Sequence, residues 1–256
     1  MKNTRLVLAI ALCFGFVAFA ASAYAQAGPV QTFKTSAGDV KITPVYHASL
    51  FLEAGGKVIY VDPAKPGNFS GLPKADLILI THEHGDHVDM DQASINAVKK
   101  DGTEIWTTAA VQKIVTSASV MANGDTKKWG KFTIEAVPAY NTVRGPKAGA
   151  FYHPKGNGNG YVITYGGKKF YFSGDTEAEP DITAALKNID VAFVCMNLPY
   201  TMTTDEAADF VKSFHPKVVI PYHYRSMPAM DLNAFKAKLE GTKIEVRLLD
   251  WYPKTS

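Results

Sequence analysis

The chain has 256 residues, of which 46% are hydrophobic, and its formal net charge is +3 at pH 7. A chain of this length can rest on an apolar core without disulfide bonds. The small net charge gives no strong electrostatic reason to expect nucleic acid binding.

The first 25 residues are organised like a secretory signal peptide. Lys2 and Arg5 precede an apolar run that ends in the small-residue motif AYA at residues 23–25. This order predicts cleavage after the motif, a periplasmic or secreted protein, and no stable membrane anchor after cleavage. An uncleaved anchor is the alternative because the run approaches membrane-spanning length, but the small residues favour cleavage. We expect residues 26–256 to form a single domain.

Cysteine usage excludes an internal disulfide in the processed chain. Of the two cysteines, Cys13 lies in the predicted signal peptide and Cys195 lies in the apolar run VAFVCMN. A single cysteine in an apolar strand is expected to be a buried, unreactive thiol.

Ten short runs rich in β-branched and aromatic residues predict strands after a flexible N-terminal segment at residues 26–37. In chain order they are VKITPVYHASLFLE, KVIYVD, ADLILIT, EIWTT, FTIEAVPAY, GYVITY, KKFYFSG, VAFVCM, KVVIPY and IEVRLLD. Five segments with polar starts predict helices, and they begin at Asp91, Thr108, Pro180, Thr204 and Asp231. The first half is rich in hairpins and the later part alternates strand with helix, which fits two packed sheets with helices outside.

The polar residues that suggest chemistry fall where predicted strands end. His82 follows LILIT, Asp175 follows FYFSG and His223 follows VVIPY. Loops at strand ends are common places for functional sites on such sheets.

The motif HEHGDH at residues 82–87 has three of the seven histidines of the chain. Two histidines one residue apart can point the same way from an extended segment, and Gly85 permits a tight turn before Asp86 and His87. Neutral imidazoles and a carboxylate are ligands that zinc and related divalent metals prefer. The motif therefore indicates a loop that offers ligands to two neighbouring ions. A charged, solvated loop without metal is the alternative.

HEHGDH resembles the HxHxDH signature of the metallo-β-lactamase superfamily of metal-dependent hydrolases. Asp62 in VIYVDP, Asp175 in FSGDTE and His223 in IPYHY resemble further motifs of that family, in the expected order. The similarity extends from about residue 39 to residue 250. It implies an α/β protein with the metallo-β-lactamase fold, a four-layer αββα sandwich of two mixed β-sheets flanked by helices.

The resemblance also implies a ligand set for two divalent metal ions. The family needs a further histidine before the bridging aspartate, and His153 is assigned by elimination and because HPKGNGNGY is similar to a branch that includes relatives of ascorbate-6-phosphate lactonase. The implied sites are His82, His84 and His153 for one ion and Asp86, His87 and His223 for the other, with Asp175 between them. Asp86 is also expected to orient an attacking hydroxide, which makes Asp86 and Asp175 the candidate catalytic residues. Zinc is the leading metal, and manganese or iron suit the same ligands.

Five further residues are candidates for supporting the metals or contacting substrate: His47, Asp62, Tyr200, Tyr222 and Tyr224. In the resembling family Asp62 supports the metal loop, while a satisfied core histidine is the alternative for His47 and simple packing for the tyrosines. His215 is expected to be a surface or capping residue and is excluded.

Segments 141–160 and 199–205 are candidates for mobile substrate loops. Their basic residues Arg144, Lys147 and Lys155 either bind an anionic substrate or belong to an ordinary solvated loop.

These features predict an exported hydrolase that uses a hydroxide shared by two metals to cleave a small ester, lactone or amide. Alternatives are a phosphodiesterase, a β-lactamase-like hydrolase and a non-catalytic metal- or ligand-binding protein. Asp175 argues against a true β-lactamase, because those members lack this bridging carboxylate and its negative charge reduces the Lewis acidity available for an anionic lactam. The expected partner is a small-molecule substrate, and the oligomeric state stays open.

Overall fold

The computed structural model describes residues 28–224 and 230–252. The first half of the chain forms one seven-stranded sheet whose strands lie in sequence order. Its elements are β1 (Gln31–Thr35), β2 (Gly38–Tyr46), β3 (Ser49–Ala54), β4 (Lys57–Val61), β5 (Leu77–Leu79), α1 (Ala93–Val98), β6 (Glu104–Thr107), α2 (Ala109–Gln112) and β7 (Ser119–Val120). Strands β1 to β4 are antiparallel, and β5 to β7 continue parallel to β4.

The second half of the chain repeats this plan. Its elements are β8 (Thr126–Trp129), β9 (Phe132–Ala139), β10 (Gly158–Tyr165), β11 (Lys168–Phe172), α3 (Pro180–Ala185), β12 (Val191–Cys195), α4 (Thr204–Phe214), β13 (Val218–Tyr222), α5 (Leu232–Lys238) and β14 (Glu245–Val246). Strands β8 to β11 are antiparallel, and β12 to β14 run parallel to β11. Both sheets are therefore mixed, as the sequence predicted.

Alternation along the strands builds a core on each side of the first sheet. In β3, Leu50 and Leu52 belong to the large core that also includes residues of the second sheet, whereas Phe51 belongs to a separate core with Ile95 of α1. Side chains of successive strand residues point to opposite faces, so one strand serves both cores. The two sheets touch directly where Phe33 meets Phe170 edge to face, with ring centroids 5.6 Å apart.

Two strand predictions are corrected by the structure, and the short strands β7 and β8 lie outside every predicted run. The N-terminal segment 26–37 contains β1, which pairs with β2 although Phe33 is its one buried residue. The run VKITPVYHASLFLE is not one strand but two, because the chain turns at His47, whose φ of 50° lies in the left-handed region. The turn at His47 reverses the chain, so that β3 pairs with β2 in the antiparallel direction.

The five helices lie where they were predicted, although most are shorter. The longest, α4, begins with a capping box in which Thr203 and Glu206 exchange side-chain to backbone hydrogen bonds. It ends at His215, which is exposed and caps the helix in the left-handed conformation, as expected. Among residues 28–224 and 230–252, no helix has both the length and the apolar character required to span a bilayer.

Candidate metal centre

The candidate residues come from both sheets and meet at one end of the sandwich. Asp62 follows β4, the HEHGDH loop follows β5, Asp175 follows β11 and His223 follows β13. Each of these strands is part of a parallel pair, and the carboxyl ends of such strands share one edge of the sheet. His153 arrives differently, from the loop between β9 and β10.

A first group consists of His82, His84 and His153, whose ligand atoms lie within 4.8 Å of one another. Nε2 of His82 lies 3.1 Å from Nδ1 of His84. The ring of His153 lies 4.9 Å, centroid to centroid, from both other rings. The structure thus brings together the three imidazoles predicted to share an ion.

A second group consists of Asp86, His87 and His223, again with ligand atoms within 4.8 Å. Nε2 of His223 lies 3.2 Å from Nε2 of His87 and 3.2 Å from Oδ2 of Asp86. The two histidines are buried, whereas 40% of the Asp86 side chain is exposed. Asp86 is therefore the member of this group that faces solvent most.

Asp175 lies between the two groups and turns one carboxylate oxygen toward each. Oδ2 lies 3.3 Å from Nε2 of His153, and Oδ1 lies 3.4 Å from Nε2 of both His87 and His223. Gly174 makes the turn that places it, with φ at +60°. The carboxylate can therefore bridge two cations, one held by each group.

Asp62 supports the loop from beneath and does not join either group. Its carboxylate accepts hydrogen bonds from the backbone N–H of Thr81 at 2.7 Å and from the Thr81 hydroxyl at 2.8 Å. Its Oδ2 also lies 2.8 Å from Nδ1 of His87. Because Nδ1 of His87 donates to this carboxylate, its Nε2 is left to face the cluster.

Three of the six non-glycine residues with positive φ in the described part of the chain lie at or beside this centre. Asp62, His223 and His47 all adopt positive φ, at 46°, 48° and 50°. A residue other than glycine pays about 1–3 kcal/mol for such a conformation, and it persists where the surroundings enforce it. Gly85 lies in the tight turn expected there, which is closed by the backbone N–H of His87 donating to the carbonyl of His84 at 2.9 Å.

Electrostatics keep the carboxylates of the centre ionised. Burial disfavours charge on Asp175, but the imidazoles of His223 and His87 outweigh burial and hold its pKa well below the usual range. Burial likewise opposes ionisation of Asp86, and His87 and His223 again lower its pKa strongly. Two ionised carboxylates therefore face the same small volume.

Four of the imidazoles divide into two electrostatic classes. Burial and the neighbouring imidazole of His87 lower the pKa of His82 well below its usual value, and burial with His153 lowers that of His84. Burial also opposes charge on His87 and His223, but Asp175 and the other carboxylates raise the pKa of His87 strongly and that of His223 to about 9. The carboxylates thus attract positive charge to the centre, and His82 and His84 supply neutral nitrogen atoms that can bind a metal ion.

The residues fit a divalent metal. Nε2 of His153 and Oδ1 of Asp175 are buried and have no hydrogen-bond partner among the described residues. Buried polar atoms of this kind cost free energy unless something compensates them. A cation would satisfy both atoms, and imidazole nitrogens with carboxylate oxygens are a donor set for zinc, manganese or iron.

The three candidate tyrosines have different surroundings. The hydroxyl of Tyr222 is buried and accepts a hydrogen bond of 2.9 Å from the backbone N–H of Gly174, so it braces the turn before Asp175. The hydroxyl of Tyr224 donates to the carbonyl of Leu249, 2.8 Å away. Tyr200 is 44% exposed and packs edge to face against Tyr152 at the rim of the centre.

His47 lies beside the second group. Its ring centroid is 5.1 Å from that of His223, and its Nδ1 lies 3.0 Å from the hydroxyl of Tyr252. This position fits a supporting contact to the centre.

Two of the basic loop residues are already paired with carboxylates. Arg144 makes ion pairs with Glu177 at 3.0 Å and Glu206 at 2.6 Å. Lys155 makes one with Asp181 at 2.7 Å. These contacts hold the loops in place and pair two of the three basic loop residues with carboxylates, whereas Lys147 is exposed.

Four residues of the surrounding network were missed at the level of sequence: Thr81, Asn141, Glu177 and Tyr252. Thr81 directly precedes His82, and Glu177 follows Asp175 by two positions, so proximity to the motifs was an available signal for both. Asn141 lies 12 positions along the sequence from His153, which it contacts, and Tyr252 lies 205 positions from His47.

Comparison with known proteins agrees with this architecture. A family model described as a β-lactamase superfamily domain matches residues 41–223. A metal-dependent hydrolase of Thermococcus kodakarensis is 32% identical over 222 residues, which covers 82% of this chain and 96% of the relative. A corresponding protein of Pyrococcus abyssi is 33% identical over 224 residues, with the same coverage of both chains.

Solved structures show the same relationship. A crystal structure from Parabacteroides distasonis, described as that of a metal-dependent hydrolase, is 42% identical, has a TM-score of 0.79, and covers 86% of this chain and 98% of its own. A metallo hydrolase from Ignicoccus hospitalis is 25% identical with a TM-score of 0.68, and covers 82% of this chain and 94% of its own.

Two mixed seven-stranded sheets with a histidine and aspartate cluster at their strand ends define a metal-binding protein of the metallo-β-lactamase fold. The chain belongs to the metallo-β-lactamase superfamily and, within it, to the metal-dependent hydrolases. The fold and family expected from the sequence motifs are thereby confirmed.

Proposed function

We propose that this protein is an exported hydrolase that holds two divalent metal ions, zinc foremost, and cleaves a small ester, lactone or amide. The observation that carries the proposal is Asp175, whose two carboxylate oxygens face two separate ligand groups. A carboxylate shared in this way suits a pair of cations about 3.5–4 Å apart. Seven candidate ligands exceed the four of a closed structural zinc site, which supports catalysis over storage or sensing.

The chain's own residues divide the work of hydrolysis. His82, His84 and His153 would hold one ion, Asp86, His87 and His223 the other, and Asp175 both. When bound, the ions would polarise the scissile carbonyl and lower the pKa of a water molecule. Asp86, the ligand candidate with 40% of its side chain exposed, would orient that water.

The rim of the centre favours a substrate with an apolar group. Tyr152 lines the cleft beside His84 and His153, and its ring meets that of Tyr200 at a centroid distance of 4.9 Å. Phe151, the neighbour of Tyr152 in the sequence, is 38% exposed. Exposed aromatic residues at the mouth of a cleft supply contact area for apolar or aromatic substituents.

Phosphodiester hydrolysis is the second candidate, because the same pair of ions can bind a phosphoryl oxygen. The pairing of Arg144 and Lys155 with carboxylates makes it the weaker one. β-Lactam hydrolysis ranks lower still, since the negative charge of Asp175 reduces the Lewis acidity available for an anionic lactam.

Export is a proposal from residues 1–25 alone, which lie outside the described residues. Cell fractionation of the full chain tests it. We expect the processed protein in the periplasm or medium, and a full-length protein confined to the cytoplasm would refute export.

The catalytic proposal is tested by metal analysis followed by assays with a chromogenic ester, lactone, phosphodiester and cephalosporin. The variants Asp86→Ala and Asp175→Ala are compared with the parent, and Asp76→Asn, at the opposite end of β5, is the control. We expect turnover of the ester or lactone that is lost on chelation and restored by zinc, with both alanine variants strongly impaired. Parental turnover by both alanine variants would refute the assigned roles.

A further inference from the structure

The loop that carries His153 is fastened to a buried carboxylate two residues beyond Asp175. Glu177 is only 4% exposed. Its carboxylate accepts hydrogen bonds from three consecutive backbone N–H groups, those of Thr142 and Val143 at 2.8 Å and of Arg144 at 2.9 Å. Backbone N–H groups that converge in this way form a cradle for an anion, so the start of the loop is shaped around Glu177.

Arg144 closes the cradle and connects it to α4. Its Nη1 donates to Glu177 at 3.0 Å and its Nη2 donates to Glu206 at 2.6 Å. Glu206 is already held by the capping box with Thr203. Charge-assisted bonds of this kind are roughly twice as strong as neutral ones, and they make the buried charge of Glu177 tolerable.

Asn141 connects Glu177 to His153 through hydrogen bonds. Its Nδ2 donates to the carbonyl of Tyr200 at 2.6 Å and, more weakly, to Glu177 at 3.4 Å. Its backbone N–H donates to the carbonyl of His153 at 2.8 Å, and its Oδ1 lies 2.7 Å from Nδ1 of the same histidine. Asn141 therefore holds both the backbone and the imidazole ring of His153 through hydrogen bonds.

The orientation of the Asn141 amide fixes the tautomer of His153. Because Nδ2 is directed at oxygen acceptors, Oδ1 must face the imidazole, and Nδ1 of His153 must carry the proton. The lone pair of Nε2 then points into the centre, where Nε2 is buried 3.3 Å from Oδ2 of Asp175. A histidine held in this tautomer is ready to bind a cation through Nε2.

We propose that Glu177 is a positioning residue, which acts through the 141–144 turn and Asn141 to aim Nε2 of His153 at the metal centre. The inference rests on the proposed function for its metal, and the structure of the loop does not depend on that metal. Neither Glu177 nor Asn141 is required to contact substrate or ion.

The test compares the parent with Glu177→Gln, Asn141→Ala and the control Glu179→Gln, all confirmed as folded by circular dichroism. Glu179 is a matched control because it lies in the same segment and accepts a bond from the Thr142 hydroxyl but from none of the cradle N–H groups. Amide hydrogen exchange over residues 141–153 is measured without metal, and zinc binding is measured by calorimetry.

For Glu177→Gln we expect exchange at residues 142–144 to accelerate by about tenfold or more, because a glutamine NH₂ group repels the N–H donors it meets. We also expect one of two zinc equivalents to bind about 10- to 100-fold more weakly, the usual range for partners behind a ligand. Asn141→Ala should weaken the same equivalent while the cradle amides stay protected, and Glu179→Gln should match the parent in both measurements.

Parental exchange and zinc affinity in a folded Glu177→Gln would overturn the inference and leave the proposed function standing. If Glu177→Gln does not fold, Asn141→Ala decides, and parental zinc affinity in that variant overturns the inference. If the parent binds no zinc, the proposed function fails, and the exchange measurement still decides whether Glu177 holds the loop.

Discussion

Nδ1 of His87 lies 2.8 Å from Oδ2 of Asp62, and neither side chain is exposed to solvent. This contact links the strand scaffold to the candidate metal centre. Asp62 directly follows β4 of the scaffold, whereas His87 is a candidate ligand on the loop after β5. Because Asp62 is fixed in place at the end of β4, its carboxylate also fixes the orientation of the His87 imidazole.

Replacement of Asp62 by asparagine tests this link. Asparagine has a single acceptor oxygen for the three donors on Thr81 and His87, so at least one buried donor loses its partner. We expect zinc affinity to fall by about 10- to 100-fold and the free energy of unfolding to fall by about 1–3 kcal/mol. Calorimetry and urea denaturation measure these effects. Asp76→Asn is the control, and an equal loss of zinc affinity in both variants would contradict the role of Asp62.

Replacement by alanine is expected to lower the stability of the protein at Gly174 and to leave it unchanged at Gly85. At Gly174, φ is +60° and a Cβ atom would lie 2.9 Å from the carbonyl oxygen of Asn159. We expect Gly174→Ala to lower the free energy of unfolding by about 1–3 kcal/mol and to displace Asp175, with loss of zinc binding. At Gly85 a Cβ atom would meet nothing within 4 Å, so Gly85→Ala should retain parental stability. A greater cost at Gly85 than at Gly174 in urea denaturation would contradict this geometry.

Cys195 is expected to be unreactive in the folded protein. Burial raises the pKa of its thiol to about 12, so the nucleophilic thiolate is scarce at pH 8. Alkylation by iodoacetamide, followed by mass spectrometry of the Cys195 peptide, should show modification only after unfolding. Complete modification of the native protein at pH 8 would contradict the buried position.

The same shift fixes a direction for alkaline stability. The folded pKa of Cys195 lies above the unfolded value of about 8.5, so its contribution to stability is present below that pH and is lost as the pH rises toward 12. Cys195→Ala should reduce the decline of the free energy of unfolding across this window. An identical decline in both proteins would contradict the assignment.

Tyr200 is expected to affect substrate choice more than chemistry. It is 44% exposed and holds the ring of Tyr152 beside the cleft. We expect Tyr200→Ala to raise KM for aryl esters by about 10-fold, with a smaller change for acetyl esters of equal reactivity. Steady-state kinetics with matched ester pairs measure the split. Equal changes for both ester types would contradict a role for the aromatic rim.

Local sequence pattern predicted most of the fold, and the exceptions have physical causes. Strands such as β12 are continuous apolar runs because both of their faces are buried. β1 was missed because it is an edge strand with one buried residue, Phe33, so its apolar alternation is too weak to recognise. The turn at His47 was missed because a histidine with positive φ is uncommon and depends on its surroundings.

The candidate site shows a similar division. The crowded HEHGDH motif and the strand-end positions of Asp175 and His223 identified residues that the fold does bring together. The network around them was not visible, because Asn141 and Glu177 are ordinary loop residues whose partnership spans 36 positions. Hydrogen bonds between such distant residues leave no periodic signal in one sequence.

Anomalous diffraction from zinc-soaked crystals tests most directly whether two cations share Asp175. We expect two peaks about 3.5–4 Å apart, one among His82, His84 and His153 and the other among Asp86, His87 and His223, with Asp175 between them. A cluster with no anomalous peak, or zinc bound only elsewhere on the protein, would contradict the account.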